Sequence, residues 1–247
     1  MIVQACLNGS RARGWHPALP ITAEEIARDA RAVVAAGAAE LHLHVRDLDG
    51  AESLSPDAVD AALTAVRRAV PGTLVGISTG AWIALDDEQR LKFIAGWREL
   101  PDHASVNLSE AGAPDLIALL RERGVAVEAG LASVADAERL VGAGLGRHAM
   151  RVLVEMEEQD TAAAIATADS ILAILARART AKPILLHGLD ASVWPLVRHA
   201  FARGFSTRIG LEDGAILCDG TPAASNAALV TAAMHLREAA PSSGSLP

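Results

Sequence analysis

Glu40-Leu41-His42-Leu43-His44-Val45-Arg46-Asp47 is the stretch whose reading decides the fold. In extended backbone successive side chains fall on opposite faces, so His42 and His44 share one face while Leu41, Leu43 and Val45 take the other. The octet reads as a strand, with charged residues where it should end. Two histidines at i and i+2 are a natural way to offer two nitrogen ligands to one metal ion. Two strand histidines hydrogen-bonded to polar neighbours would read the same from the octet alone.

Outward from this strand the chain repeats one unit. Before it, residues 3–7 are an apolar run closed by Asn8-Gly9, followed by a long polar loop and a helix that Thr22-Ala23-Glu24-Glu25 opens and Gly37 closes. After it, Ser55-Pro56-Asp57 starts a helix to about residue 70. Further apolar runs cover 74–77, 104–108, 125–127, 150–154, 183–186 and 207–211, and helical patterns cover 86–97, 114–123, 134–141, 161–179, 192–203 and 226–239. Each strand is nearly continuously apolar, as parallel strands buried on both faces should be.

Eight such units predict a (β/α)8 barrel, the TIM barrel, whose usual size of about 250 residues is close to the 247 here. An open doubly wound sheet is the alternative; it usually carries a glycine-rich phosphate turn after its first strand, and Asn8-Gly9-Ser10 matches GxGxxG poorly. Residues 1–240 are expected to form a single barrel domain, and 241–247 have the composition of a disordered tail.

A net charge of −8 argues against nucleic acid or an anionic membrane as the main partner, because phosphate binding needs clustered Lys and Arg. Cys6 and Cys218 are the only cysteines and lack CxxC spacing, so neither a disulfide framework nor a cysteine zinc site is indicated. Met1 leads straight into an apolar strand without a basic region and cleavage site, and no run of about 18 uninterrupted apolar residues exists. A cytoplasmic protein that does not enter a membrane is expected.

Polar or ionisable residues stand at the carboxyl end of nearly every predicted strand: Asn8, His44, Ser78, Asn107, Glu128, Glu155, His187 and Glu212. A barrel would gather them at one mouth, where barrel enzymes keep their sites. Loops are polar anyway, but that does not account for histidines alternating inside an apolar strand. In Arg208-Ile209-Gly210-Leu211-Glu212-Asp213-Gly214 the extended alternation puts Arg208, Gly210 and Glu212 on one face. Glu212 can complete a metal set with His42 and His44, leaving a position for water or substrate, and Asp213 is then available as a base. A structural Arg208–Glu212 ion pair with Asp213 capping the turn is the bland alternative.

The segments HPALPITAEEIARDA (16–30), LHLHVRD (41–47), ISTG (77–80), SVNLSE (105–110), LLHG (185–188) and RIGLEDG (208–214) resemble the beta-keto acid cleavage enzymes. The resemblance implies a zinc-dependent (β/α)8 barrel that cleaves a beta-keto acid with acetyl-CoA, giving acetoacetate and a new CoA thioester. It implies His42, His44 and Glu212 as Zn2+ ligands, Asp213 as general base and Arg208 as a stabiliser of charge. It further implies Ser78 and Asn107 as holders of the substrate carboxylate; Asn8 and Arg11 are also expected to bind substrate. A homo-oligomer is expected. Members acting on an amino substrate carry an acid where Arg11 stands here, so substrates of this chain are expected to lack a required amino group and to accommodate a second carboxylate. SVNLSEAG also departs from the family's glycine-rich version, so an altered or absent acyl-CoA pocket is expected.

Two other classes compete. Metal-dependent hydrolases of the amidohydrolase type also use HxH on a barrel strand, but on the first strand, with further histidines after the fifth and sixth, where Glu128 and Glu155 stand here. A non-catalytic metal or small-molecule binding barrel would not need Arg208 and Asp213 beside an open metal.

Overall fold

The computed structural model describes residues 1–240; the tail expected at 241–247 lies outside the described residues. Eight strands alternate with eight helices: β1 (Val3–Cys6), α1 (Ala23–Ala35), β2 (Glu40–Leu43), α2 (Pro56–Ala69), β3 (Leu74–Ser78), α3 (Asp87–Ala95), β4 (His103–Asn107), α4 (Ala113–Glu122), β5 (Ala126–Leu131), α5 (Val134–Gly142), β6 (Ala149–Met156), α6 (Thr161–Arg177), β7 (Ile184–Gly188), α7 (Val193–Ala202), β8 (Thr207–Ile209) and α8 (Asn226–Ala239).

All ladders are parallel, in the order β7-β6-β5-β4-β3-β2-β1-β8. The sheet closes through Ser206, which forms a parallel bridge with Leu185 and exchanges backbone bonds with β7. The chain is a (β/α)8 barrel. Among the described residues no helix is long and apolar enough to cross a membrane.

Local chemistry starts the helices where the sequence suggests. Thr22 and Glu25 form a capping box on α1, Ser133 and Asp136 another on α5, and Ser55 caps α2 ahead of Pro56. The apolar faces of the helices close over the outside of the barrel. Ile26, Val59, Leu63, Leu116 and Leu229 join one core cluster, and Leu140, Val154, Ile171 and Leu186 a second.

Inside the barrel the lower level is ionic. Gln4, Glu40, His103, Glu128 and Arg151 are all buried there, and Arg151 bonds to Glu128 at 2.5 Å and also to Glu40. Gly76 leaves room for the His103 ring, since a Cβ there would come within 2.1 Å of its Nε2.

Three strand ends differ from the sequence expectation. β5 continues to Leu131, so Glu128 sits inside the strand at this ionic level and not at its carboxyl end. Its charge is matched by Arg151, which lets an acid stand where a strand end was expected. β2 stops at Leu43 because His44 bonds to the Asn8 side chain, and Arg46 then pairs with Glu52 in an antiparallel bridge. β8 stops at Ile209; Gly210 accepts bonds from Asp213 and Gly214, so the expected alternation through Glu212 gives way to a tight turn.

Candidate metal centre and pocket

A cavity of about 310 Å³ opens at the carboxyl ends of the strands, lined in part by His42, His44, Ser78, Asn107, Glu155, Arg208 and Glu212. Arg11 reaches it from the loop after β1, and Trp82 from the loop after β3. Asn8 and Asp213 do not line it. Both are fully buried.

His42 and His44 stand with ring centroids 5.4 Å apart and planes at 78°. Glu212 Oε1 lies 3.9 Å from His42 Nε2 and 3.6 Å from His44 Nε2. One ligand atom from each residue lies within 4.8 Å of the others. Ligand atoms about 2.0–2.2 Å from a tetrahedral zinc are roughly 3.4 Å from one another, so the spacing fits a metal with modest closure. Glu212 Oε2 is buried without a hydrogen-bond partner among the described residues, which leaves it available to a cation. The three residues fit the metal that the sequence pattern implies.

The surroundings orient this set. His44 Nδ1 is 2.5 Å from Glu52 Oε1, which frees Nε2 toward Glu212, in the manner of carboxylate-supported metal histidines. Glu52 also accepts from Trp82 Nε1 at 3.1 Å, and the indole lies nearly parallel to the His44 ring with centroids 6.5 Å apart. Burial lowers the His42 pKa to about 3, which keeps the ring neutral, as a ligand must be. Burial also pushes His44 down, but Glu212 and Glu52 outweigh it and hold the pKa up to about 9, so a metal ligated there displaces a proton from the ring. Burial opposes the Glu212 charge, yet Arg208 and the two histidines keep its carboxyl well below the usual range.

Arg208 Nη2 contacts both Glu155 and, at 3.0 Å, Glu212. Its Nε and Nη1 are buried without partners among the described residues. On the far side, His187 Nε2 is 2.8 Å from Glu155 Oε2 and its Nδ1 is 3.3 Å from Asp213. Burial, only partly offset by His187, raises the Asp213 pKa above the ordinary carboxylate value.

The other predicted residues fall as follows. Ser78 is buried at the end of β3, and Asn107 donates to Glu110 at 3.2 Å. Arg11 bonds to Asp190 at 2.9 Å and to the Glu212 carbonyl at 3.2 Å, and stacks over Trp15 at 4.3 Å. Asn8 bonds only to the His44 backbone. Sequence reasoning passed over Glu52, Trp82 and Asp190. A carboxylate eight residues beyond His44 was a usable signal for Glu52; nothing local marks Trp82 or Asp190.

A family model described as beta-keto acid cleavage enzyme matches residues 1–242. A 3-keto-5-aminohexanoate cleavage enzyme from Acetoanaerobium sticklandii is 36% identical over 93 residues, which are 37% of this chain and 34% of that protein. A 3-oxoadipate:acetyl-CoA acetyltransferase from Cupriavidus necator is 38% identical over 80 residues, 32% of this chain and 28% of that protein. The matched stretch is thus about a third or less of either curated relative. A solved complex of ObcA with oxaloacetate superposes with a TM-score of 0.73 at 18% identity, covering 89% of this chain and 63% of that one, which shows the shared fold.

Proposed function

The chain belongs to the beta-keto acid cleavage enzyme family, and from that premise we propose that it exchanges the acyl group of a beta-keto acid with acetyl-CoA, using one Zn2+ held by His42, His44 and Glu212. Acetyl-CoA is a cosubstrate of the Cupriavidus relative by its name, which supports the choice of thioester. In balance, the bond between C2 and C3 of R–CO–CH2–COO⁻ breaks. Its CH2–COO⁻ part joins the acetyl carbon to give acetoacetate, and R–CO joins the CoA sulfur. When bound, the metal supplies Lewis-acid polarisation of a keto oxygen.

The single observation that carries the reading is Arg208, which lines the cavity beside the metal set and whose Nε and Nη1 are buried without partners among the described residues. Removing a proton from C2 leaves negative charge on the adjoining oxygen, and the Arg208 guanidinium charge beside the cavity stabilises it. Ser78 and Asn107 line the same cavity and are assigned to the substrate carboxylate. The proton goes toward Asp213 by way of Glu155, which lines the cavity, and His187, which stands between the two carboxylates. The C2 carbanion attacks the acetyl carbon of acetyl-CoA and expels CoA thiolate. The thiolate then adds to the original keto carbon, the C2–C3 bond cleaves, and the proton taken up at Asp213 returns to C2 to give acetoacetate. Unpaired Cys6 and Cys218 fit a reducing cytoplasm, and a homo-oligomer is expected.

A panel of beta-keto acids with acetyl-CoA, followed by acetoacetate release, tests the proposal. Chelation should abolish release and stoichiometric zinc should restore it. A metal-loaded protein that releases no acetoacetate from any member of the panel overturns the reading, as does full activity in metal-free protein.

A further inference from the structure

The donors of the metal set come from two strands that do not touch. β1 lies between β2, which leads to His44, and β8, which leads to Glu212, and β1 contributes no ligand itself. His42 lies within β2 and its carbonyl accepts from Leu7 N–H at 3.0 Å, but β2 stops at Leu43 and β8 at Ile209, so the ladder does not reach His44, and Glu212 keeps only a long 3.5 Å backbone bond to the Cys6 carbonyl. Two buried amide side chains supply the stronger bonds there. Asn8, just beyond β1, donates from Nδ2 to the His44 carbonyl and accepts at Oδ1 from the His44 N–H, both at 2.9 Å. Asn226, at the start of α8, accepts at Oδ1 from Leu211 N–H at 2.6 Å and donates from Nδ2 to the Leu7 carbonyl at 2.8 Å and to Asp29 at 2.6 Å.

Leu7 adjoins Asn8 and Leu211 adjoins Glu212. The bonds therefore run without interruption from the backbone of one ligand, across the end of β1, to the backbone next to the other. Close packing reinforces the seam. A Cβ on Gly210 would stand 1.7 Å from the Cys6 carbonyl oxygen, and one on Gly9, at φ +53°, would stand 2.5 Å from Glu212 Cγ. Neither asparagine is exposed and neither lines the cavity, so contact with substrate does not account for them.

We propose that Asn8 and Asn226 are positioning residues of the metal centre, setting the separation of His44 from Glu212 across β1. The inference rests on the reading that His42, His44 and Glu212 hold the metal. It departs from the expectation that Asn8 touches substrate.

The test measures zinc dissociation constants of the full chain by chelator competition, the visible absorbance of the cobalt(II)-loaded protein, and the melting temperature of the metal-free protein. Asn8→Ala and Asn226→Ala should each weaken zinc roughly 10- to 100-fold and alter the cobalt band while the protein remains folded. Thr207→Val is the control. It removes a buried hydroxyl bond to the Leu186 carbonyl on the other flank of β8, at 2.8 Å, and should lower the melting temperature without changing zinc affinity. If the alanine variants do not fold, Asn8→Asp and Asn226→Asp carry the test. Each keeps the acceptor for its backbone N–H and loses the donor, and zinc should weaken at least about fivefold.

Zinc affinity within twofold of wild type and an unchanged cobalt band in the variants overturn the inference, whatever the melting temperature does. Absence of stoichiometric metal in the wild type overturns the metal centre itself, a separate and earlier failure.

Discussion

His187 Nδ1 lies 3.3 Å from the Asp213 carboxylate, and both side chains are closed off from solvent. As a general base, Asp213 was expected beside the metal set. Instead the chain turns tightly at Gly210 and Asp213 is fully buried, while Glu155 is a carboxylate that lines the cavity. A base so placed reaches substrate through other groups. The imidazole is the natural carrier, because it can accept a proton at one nitrogen while releasing one from the other.

Asp213→Asn and His187→Gln should therefore each lower turnover by roughly 10² or more while stoichiometric zinc is retained. Because the two residues act in series, the double variant should lose little beyond the worse single one. Glu212→Gln should lose metal. Steady-state kinetics paired with metal analysis decides the point: wild-type turnover in His187→Gln would mean that Asp213 works without the relay, and wild-type turnover in Asp213→Asn would remove it as the base.

Below the site, Arg151 holds the carboxylates of Glu40 and Glu128 together inside the barrel. Burial opposes the Glu128 charge, but Arg151 holds its pKa down to about 2, so Glu128 remains ionised near neutral pH while the guanidinium is there. Arg151→Ala should cost about 3–5 kcal/mol, since it leaves two buried negative charges without a counterion. Urea unfolding measures this. A loss under about 1 kcal/mol would mean that water or protonation relieves the acids at little expense.

The barrel was legible because its signal is local and repeated. Eight apolar runs alternate with amphipathic helices, and caps such as Thr22, Ser55 and Ser133 mark helix starts within a few residues. The meeting of His42, His44 and Glu212 was legible once a barrel was assumed, because parallel strands deliver their carboxyl ends to one face. Where strands end was harder to see. β5 runs past Glu128 because Arg151 on the next strand matches its charge, and β8 is cut short by a turn at Gly210 that the Cys6 carbonyl crowds. Pairings such as Asn226 with Leu7, far apart in the chain, leave no trace in local pattern.

Asp29 offers a test of pH dependence away from the centre. Burial raises its pKa to about 6, against the opposing effect of the Asn226 amide. In the unfolded chain the value returns to about 3.9, so between these limits unfolding releases a proton and stability falls as pH rises. Below about pH 4 both states are protonated and the site contributes nothing. Above 6 the cost is complete. Asp29→Asn keeps an acceptor for Asn226 and removes the buried charge, so it should stabilise the protein by about 1–3 kcal/mol at pH 7.5 and leave it unchanged at pH 3.5. A gain of the same size at both pH values would assign the effect to packing instead of charge.

Arg11 lines the cavity as expected for a residue that meets a second substrate carboxylate, but its charge is already matched by Asp190 at 2.9 Å. A keto diacid must then compete with Asp190 for the guanidinium, whereas a neutral keto acid need not. Half of the Asp190 side chain is exposed, at 53%, so this ion pair is weak enough to exchange. Asp190→Asn should raise the ratio of kcat/KM for keto diacid over neutral keto acid by about tenfold, the effect of freeing one charge-assisted bond. Arg11→Ala should abolish the preference in both the wild-type and Asp190→Asn backgrounds, because the group being competed for is gone. Four proteins and two substrates suffice to measure this. If Asp190→Asn leaves the ratio within twofold of wild type, Asp190 does not hold Arg11 away from substrate. If Arg11→Ala keeps the ratio of its parent, the second carboxylate docks elsewhere in the cavity.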